Sequence, residues 1–253
     1  MQQGYVKTEI GNGIVTIEFF HPQSNSLPSS ILQQLAGEIR EAGKNKDCRV
    51  ILLRSGGERA FCAGASFDEL SLITNEQDGK KFFSGFAMVI NAMRTCGKIV
   101  IARVQGKCVG GGVGVAAAAD YTIAVKAADI RLSELAVGIG PFVVGPAIER
   151  KIGSGPFSAL AIDASAWRNS EWAKQMGLFA EVHETPESMD ASIERLAGFL
   201  VNSNPDALAD LKAVFWKGTD HWDNLLDERA AISGRLVIGE HARAAIASVK
   251  SKK

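Results

Sequence analysis

Apolar and polar positions change period in blocks along the chain. Residues 5–10 and 14–19 are β-rich runs on either side of Gly11-Asn12-Gly13, and Asn-Gly tolerates the positive φ of a tight hairpin turn. After a loop at 21–27, Ile31, Leu32, Leu35 and Ile39 fall at helical spacing, with Ser30-x-x-Gln33 reading as a capping box and Gly43 as a C-cap. Residues 50–54 form a short apolar run that suits a strand buried on both faces. The rhythm then repeats. A helix is predicted at 82–93, with Phe82, Phe86, Val89, Ile90 and Met93 on one face; a strand at 99–104, a helix at 113–119 and a strand at 121–125 follow. Strands alternating with helices imply right-handed crossovers and a partly parallel sheet. Beyond residue 155 the pattern is mostly helical, at 157–162, 170–176, 189–202, 206–216 and 223–237. The fold class is α/β with a helical C-terminal part, and no Pro/Ser-rich linker divides the 253 residues.

Composition narrows the function classes. Apolar residues are 46% and charged residues 22%, the range of an ordinary globular chain. Lys+Arg and Asp+Glu are 28 each, so the basic excess of a nucleic-acid binder is missing. The longest apolar stretch, 99–125, is interrupted by Arg103, Lys107 and Asp120 and does not read as a membrane span. The first residues show no apolar signal core, and the four cysteines (Cys48, Cys62, Cys96, Cys108) form no C-x-x-C pair. A cytoplasmic location with reduced thiols is expected. Trp167, Trp172, Trp216 and Trp222 fall on helical stretches and read as core or interface residues.

Candidate chemistry is concentrated in three segments. Residues 104–120 run from a strand through Gly110, Gly111 and Gly112 into an alanine-rich helix. The first N–H groups of such a helix have no internal partner and stabilise an anion, while the same glycines also suit a tight strand–helix crossing. There is no Walker A loop, and Gly112-x-Gly114-x-x-Ala117 matches a dinucleotide fingerprint only loosely. Residues 58–70 are a second loop-to-helix start, with Gly64 and Ser66-x-x-Glu69. Two such loops could pool N–H groups into one oxyanion hole. Glu134 precedes an apolar, glycine-rich loop at 136–145, where desolvation would make its carboxylate a base. The four histidines show no metal spacing and no G-x-S-x-G elbow is present, so no metal site and no hydrolase triad are expected.

Taken together, these segments resemble the crotonase (enoyl-CoA hydratase/isomerase) superfamily, over nearly the whole chain. Residues 61–65 (FCAGA) resemble its F-C-A-G-A-D stretch. Gly106-x-x-x-Gly110-Gly111-Gly112 followed by Asp120 resembles its G-x-x-x-G-G-G…D segment. Glu134 to Pro141 is similar to its P-E-x-x-x-G-x-x-P loop, and 173–178 to its A-x-x-x-G-L-V turn. The resemblance implies a spiral of ββα turns over 1–195 and a helical trimerisation region over 196–253, assembled as a homotrimer or hexamer. It implies an acyl-CoA thioester as substrate, with no separate cofactor, no membrane and no nucleic-acid partner. The family's oxyanion-hole N–H groups fall on Ala65 and Gly111, its catalytic glutamate on Glu134, and its CoA-binding backbone on Ala63, Gly64, Ala65, Ser66, Phe67, Gly110 and Gly111. Each preorganised N–H would stabilise an enolate by ~3 kcal/mol.

Three departures bear on the reaction. The first of the two glutamates usual in hydratases maps onto Gly114. The aspartate after G-A is Ser66, and the loop after Pro141 reads Phe-Val-Val-Gly-Pro, implying a narrower acyl pocket. A single base moves a proton between carbons without activating water, so isomerisation of 3-enoyl-CoA to 2-enoyl-CoA is favoured over hydration. Decarboxylation or hydrolysis of a branched or cyclic acyl-CoA is the next alternative, and a non-catalytic acyl-CoA binding subunit the rival of another class. Asp163 and Glu149 are possible substitute acids.

Overall fold

The structure is a computed structural model that describes residues 3–250. Strand β1 (Tyr5–Gly11) folds back antiparallel on β2 (Ile14–Phe20) through Asn12 and Gly13, both at positive φ. From β2 onward the large sheet is parallel. β3 (Val50–Ser55), β5 (Ile99–Val104), β7 (Tyr121–Val125) and β9 (Glu181–His183) join it in the order β1-β2-β3-β5-β7-β9. Central β5 is almost wholly buried, as the apolar run at 99–104 requires of a parallel strand covered on both faces.

Each of three successive large-sheet strands is followed by a short strand in a second parallel sheet. β4 (Ala60–Cys62), β6 (Lys107–Val109) and β8 (Ile130–Arg131) lie in that order, with Cys62 beside Cys108 and Val109 beside Arg131. Strands of two or three residues leave no periodicity to read, so β4, β6 and β9 were not predicted. The helices are α1 (Ser29–Lys44), α2 (Phe67–Leu70), α3 (Glu76–Thr95), α4 (Gly111–Ala118), α5 (Gly145–Ile152), α6 (Ser154–Ile162) and α7 (Ser170–Gln175). Four more follow: α8 (Pro186–Val201), α9 (Pro205–Phe215), α10 (Trp222–Val237) and α11 (Glu240–Lys250). This succession of ββα units ending in helices is the predicted fold class.

Three local expectations change. Ser30 does not cap α1; Pro28 holds the extended N-cap conformation, and the Ser29 N–H and hydroxyl both donate to Glu69 Oε2 from a distant segment. Gly43 is the next-to-last residue of α1 and not its cap, which is Asn45; the Cys96 carbonyl passes 2.5 Å from where a Gly43 Cβ would stand. Trp167 is in no helix; it sits half-exposed in the connection between α6 and α7, whereas Trp216 and Trp222 are buried edge to face.

The C-terminal helices close the molecule over α3. Gly79 and Gly234 let α3 and α10 touch backbone to backbone, and Lys80–Asp227 and Arg94–Asp223 pair along the seam at 2.7 and 2.9 Å. Ala242 and Ile246 of α11 join Ile139 and Val237 in a small apolar cluster. Phe67, Leu70 and Phe83 pack against it, so α11 buttresses both loops that frame the cavity described next. Among the described residues, no helix is long and apolar enough to cross a membrane.

Candidate active site

The three short strands deliver the site. Beyond β4 the chain turns at Gly64; beyond β6 it enters α4 at Gly110; beyond β8 it passes Ser133 and Glu134 into a single 3-10 turn, Leu135–Val137. A cavity of about 630 Å³ opens where these segments meet, lined among others by Ala63, Gly64, Ala65, Phe67, Gly110, Gly111 and Glu134. Phe82, Phe86, Phe142, Val143 and Val144 supply its apolar walls.

The Ala65 segment is held in register by the preceding loop. Leu27 N–H donates to Gly64 O at 2.8 Å, Ser66 N–H to Leu27 O at 2.9 Å, and the Ser26 hydroxyl to Ala65 O at 2.9 Å. This one-residue parallel bridge skips the Ala65 N–H, which donates to nothing among the described residues. The Gly111 N–H, first of α4, is likewise without a partner there. The two segments are adjacent: a Cβ on Gly64 would stand 3.6 Å from Gly111 N and 3.2 Å from Val109 O. Gly111 itself meets the Phe86 ring so closely that any side chain would collide with it. Small residues are therefore required on both sides.

Glu134 stands over Gly110. A Cβ at Gly110 would lie 2.9 Å from Glu134 Oε1, and φ of +52° there already favours glycine. Glu134 as a whole is half-buried, yet its Oε2 is shielded from solvent and has no hydrogen-bond partner among the described residues. Burial pushes its carboxyl up to about 7, against a smaller opposite effect of the Glu134 and Ser133 backbone N–H groups. Among the described residues it is the only carboxylate side chain that lines the cavity. At neutral pH it exchanges a proton readily in either direction.

Position 114 is closed. A Cβ on Gly114 would come within 2.6 Å of Val144 Cβ and Cγ1, so Val144 occupies the space a side chain there would need. Neither Asp163 nor Glu149 substitutes for it. Asp163 pairs with Arg168 at 3.2 Å, Glu149 is exposed on α5, and neither lines the cavity. Of the residues expected at the site, Ser66 stands apart: it is buried, does not line the cavity, and its Oγ accepts the Glu69 N–H as the cap of α2. Sequence reasoning missed Val144, Phe86 and Arg131, all of which line the cavity. No local signal marks them, because each matters through a contact with a distant segment. Among the described residues, no three His, Cys, Asp or Glu side chains are grouped to hold a metal ion.

Comparison with known proteins agrees with this architecture. The family model for enoyl-CoA hydratase/isomerase matches residues 9–235, and the chain belongs to that family, the crotonase superfamily. A short-chain-enoyl-CoA hydratase from Clostridium acetobutylicum is 30% identical over 195 residues, 77% of this chain and 74% of that one. A (7aS)-7a-methyl-1,5-dioxo-2,3,5,6,7,7a-hexahydro-1H-indene-carboxyl-CoA hydrolase from Rhodococcus jostii is 33% identical over 132 residues, about half the length of each chain. The crystal structure of an enoyl-CoA hydratase from Bacillus halodurans superposes with a TM-score of 0.89 at 21% identity, covering 96% of this chain and 99% of that one. Family membership supports an enzyme of acyl-CoA thioesters.

Proposed function

We propose that the protein isomerises a 3-enoyl-CoA to the conjugated 2-enoyl-CoA through an enolate held by the Ala65 and Gly111 N–H groups, with Glu134 carrying the proton. The observation that carries this reading is the lone carboxylate: Glu134 titrates near neutrality inside an apolar cavity, and Val144 fills the place of a second acid. Glu134 removes a proton from C2, the electrons of that C–H bond move onto the thioester oxygen, and the same carboxyl returns the proton at C4 as the double bond shifts. Negative charge develops on the thioester oxygen, where two N–H donors with no competing partner stabilise it without reorganisation. Water activation in the two-carboxylate form has no second group here.

The test follows conjugated-thioester absorbance with purified protein, started separately from 3-enoyl-CoA and 2-enoyl-CoA. A rise from the 3-enoyl substrate is expected. A fall from the 2-enoyl substrate, with no rise from the other, would replace isomerisation by hydration. Hydrolysis is the second reading, supported by the name of the Rhodococcus relative; release of free CoA or opening of a cyclic diketone thioester, with no isomerisation, would establish it.

A further inference from the structure

Among the described residues, one cation lines the cavity. Arg131 is the only Arg, Lys or His among the residues that line it. It faces inward by strand alternation: Ile130 and Leu132 are buried on one side of the segment, while Arg131 and Ser133 turn to the cavity. Its register partner Val109 lines the same wall. The guanidinium carbon stacks 4.6 Å from the centre of the Trp167 ring, and Lys107 Nζ lies 4.7 Å from that ring. Arg131 Nε is shielded from solvent, and it has no hydrogen-bond partner among the described residues.

Several other buried or half-buried cations are given a carboxylate partner. Arg94 pairs with Asp223, Arg103 with Asp190, Arg168 with Asp163 and Lys212 with Asp120. Arg131 forms no ion pair among the described residues, with Glu134 or with any other carboxylate. A shielded guanidinium donor without an acceptor is costly, and a guanidinium fixed by ring stacking presents its remaining N–H groups in a rigid fork suited to a carboxylate. We propose that Arg131, braced by Trp167, receives an anionic group on the acyl part of the substrate, so that the preferred substrate is the CoA thioester of a dicarboxylic acid.

This deepens the acyl-CoA reading and rests on it. Position separates the acyl group from the CoA phosphates as the source of the anion. Arg131 lies on β8, two strands and about 10 Å across the small sheet from the turn that follows β4. It is three residues ahead of Glu134 on the same segment. It therefore belongs to the side of the thioester on which Glu134 works, and the 63–67 segment to the other. A site that offers hydrogen bonds to a charged group discriminates strongly against an analogue lacking it.

The experiment is calorimetric binding of saturated thioesters, which have no double bond to shift, to the full chain: glutaryl-, adipyl- and pimelyl-CoA, each against its ω-carboxamide. At one chain length or more, the carboxylate is expected to bind at least tenfold more tightly than the amide. Arg131→Gln is expected to abolish that preference and Arg131→Lys to keep part of it. The corresponding pantetheine thioesters, which lack the nucleotide phosphates, are expected to show the same preference. Equal binding of acid and amide by the wild-type protein would overturn the inference while leaving the acyl-CoA reading intact. Arg131→Gln weakening acid and amide CoA thioesters alike, with no effect on pantetheine thioesters, would assign Arg131 to the CoA phosphates and also overturn it. Failure to bind any of the thioesters would overturn both.

Discussion

At the C-terminal end of α4, Asp120 is buried and fully engaged. It accepts hydrogen bonds from Lys212 Nζ at 2.6 Å, Trp216 Nε1 at 2.9 Å and Val100 N–H at 2.8 Å. At the N-terminal end, Glu134 Oε2 is shielded from solvent and accepts no hydrogen bond among the described residues. The backbone differs in the same sense. Lys151 donates to the Ala119 and Asp120 carbonyls and Thr122 to the Ala116 carbonyl, so the C-terminal end is capped by side chains. Gly111 at the other end lines the cavity, and its N–H has no partner among the described residues. One short helix thus has a satisfied end and an unsatisfied one. Buried polar groups are normally paired, so the unsatisfied end marks where a ligand is expected to complete the structure.

Glu134→Gln should have the largest effect at the unsatisfied end: kcat/KM falls about 10²- to 10⁴-fold, the worth of a positioned general base. In the wild-type protein kcat/KM should rise with pH through about 7, because the ionised form is the base and its carboxyl is raised to that value. A profile flat between pH 5 and 9, or full activity in the glutamine variant, would remove Glu134 from the chemistry. The other end should respond in stability. Asp120→Ala leaves Lys212, whose side chain is 3% exposed, without a counter-charge, and about 3–5 kcal/mol of unfolding free energy should be lost in urea titrations. Unchanged stability with lost turnover would reverse the roles assigned to the two carboxylates.

Stability against pH distinguishes the ends further. Glu134 holds its proton up to about 7 when folded and releases it near 4.5 when unfolded. The folded state therefore binds more protons across that window, and its stability falls as pH rises from about 4.5 to 7. Glu134→Gln should relieve this, leaving the variant more stable than wild type above pH 7 by about 3 kcal/mol. Lys151 has the opposite sign. Burial lowers its amine from 10.5 to about 8, so the unfolded state binds more protons between those values and stability rises with pH there. Lys151→Met should flatten that rise. Melting temperatures of the three proteins across pH 5–10 check both slopes.

How much of this was legible in the sequence follows from the range of each interaction. The hairpin, the long helices and the core strands were readable because a turn dipeptide or an apolar period spans each of them. Ala65, Gly110, Gly111 and Glu134 were expected at one site because each lies in a short contiguous motif, and all four line the cavity. Ser66 was placed in the right loop, but its side chain is spent on capping α2. Arg131 was invisible: its meaning depends on its having no ion-pair partner among the described residues and on Trp167, which was read on a helical stretch and which the fold places in a loop. Gly114 read as a missing acid, while the reason for the vacancy, Val144, lies thirty residues away.

That last contact gives the smallest and sharpest test. Gly114 is buried inside α4, where alanine would ordinarily favour the helix by about 1 kcal/mol. Here an added Cβ meets Val144 at 2.6 Å, and overpacking of that kind costs about 1–3 kcal/mol. Gly114→Ala should therefore be neutral to mildly destabilising instead of stabilising. Val144→Ala alone opens space on the cavity wall and should cost about 1–3 kcal/mol by lost burial. In the double variant the two effects should partly cancel, giving a favourable coupling in a double-mutant cycle. Strict additivity would mean that Val144 does not press on position 114, and the case for a single-carboxylate site would then rest on the glycine alone. Coupling would show that the wall of the cavity and the start of α4 are packed as one unit, with no room left for a second acid beside Glu134.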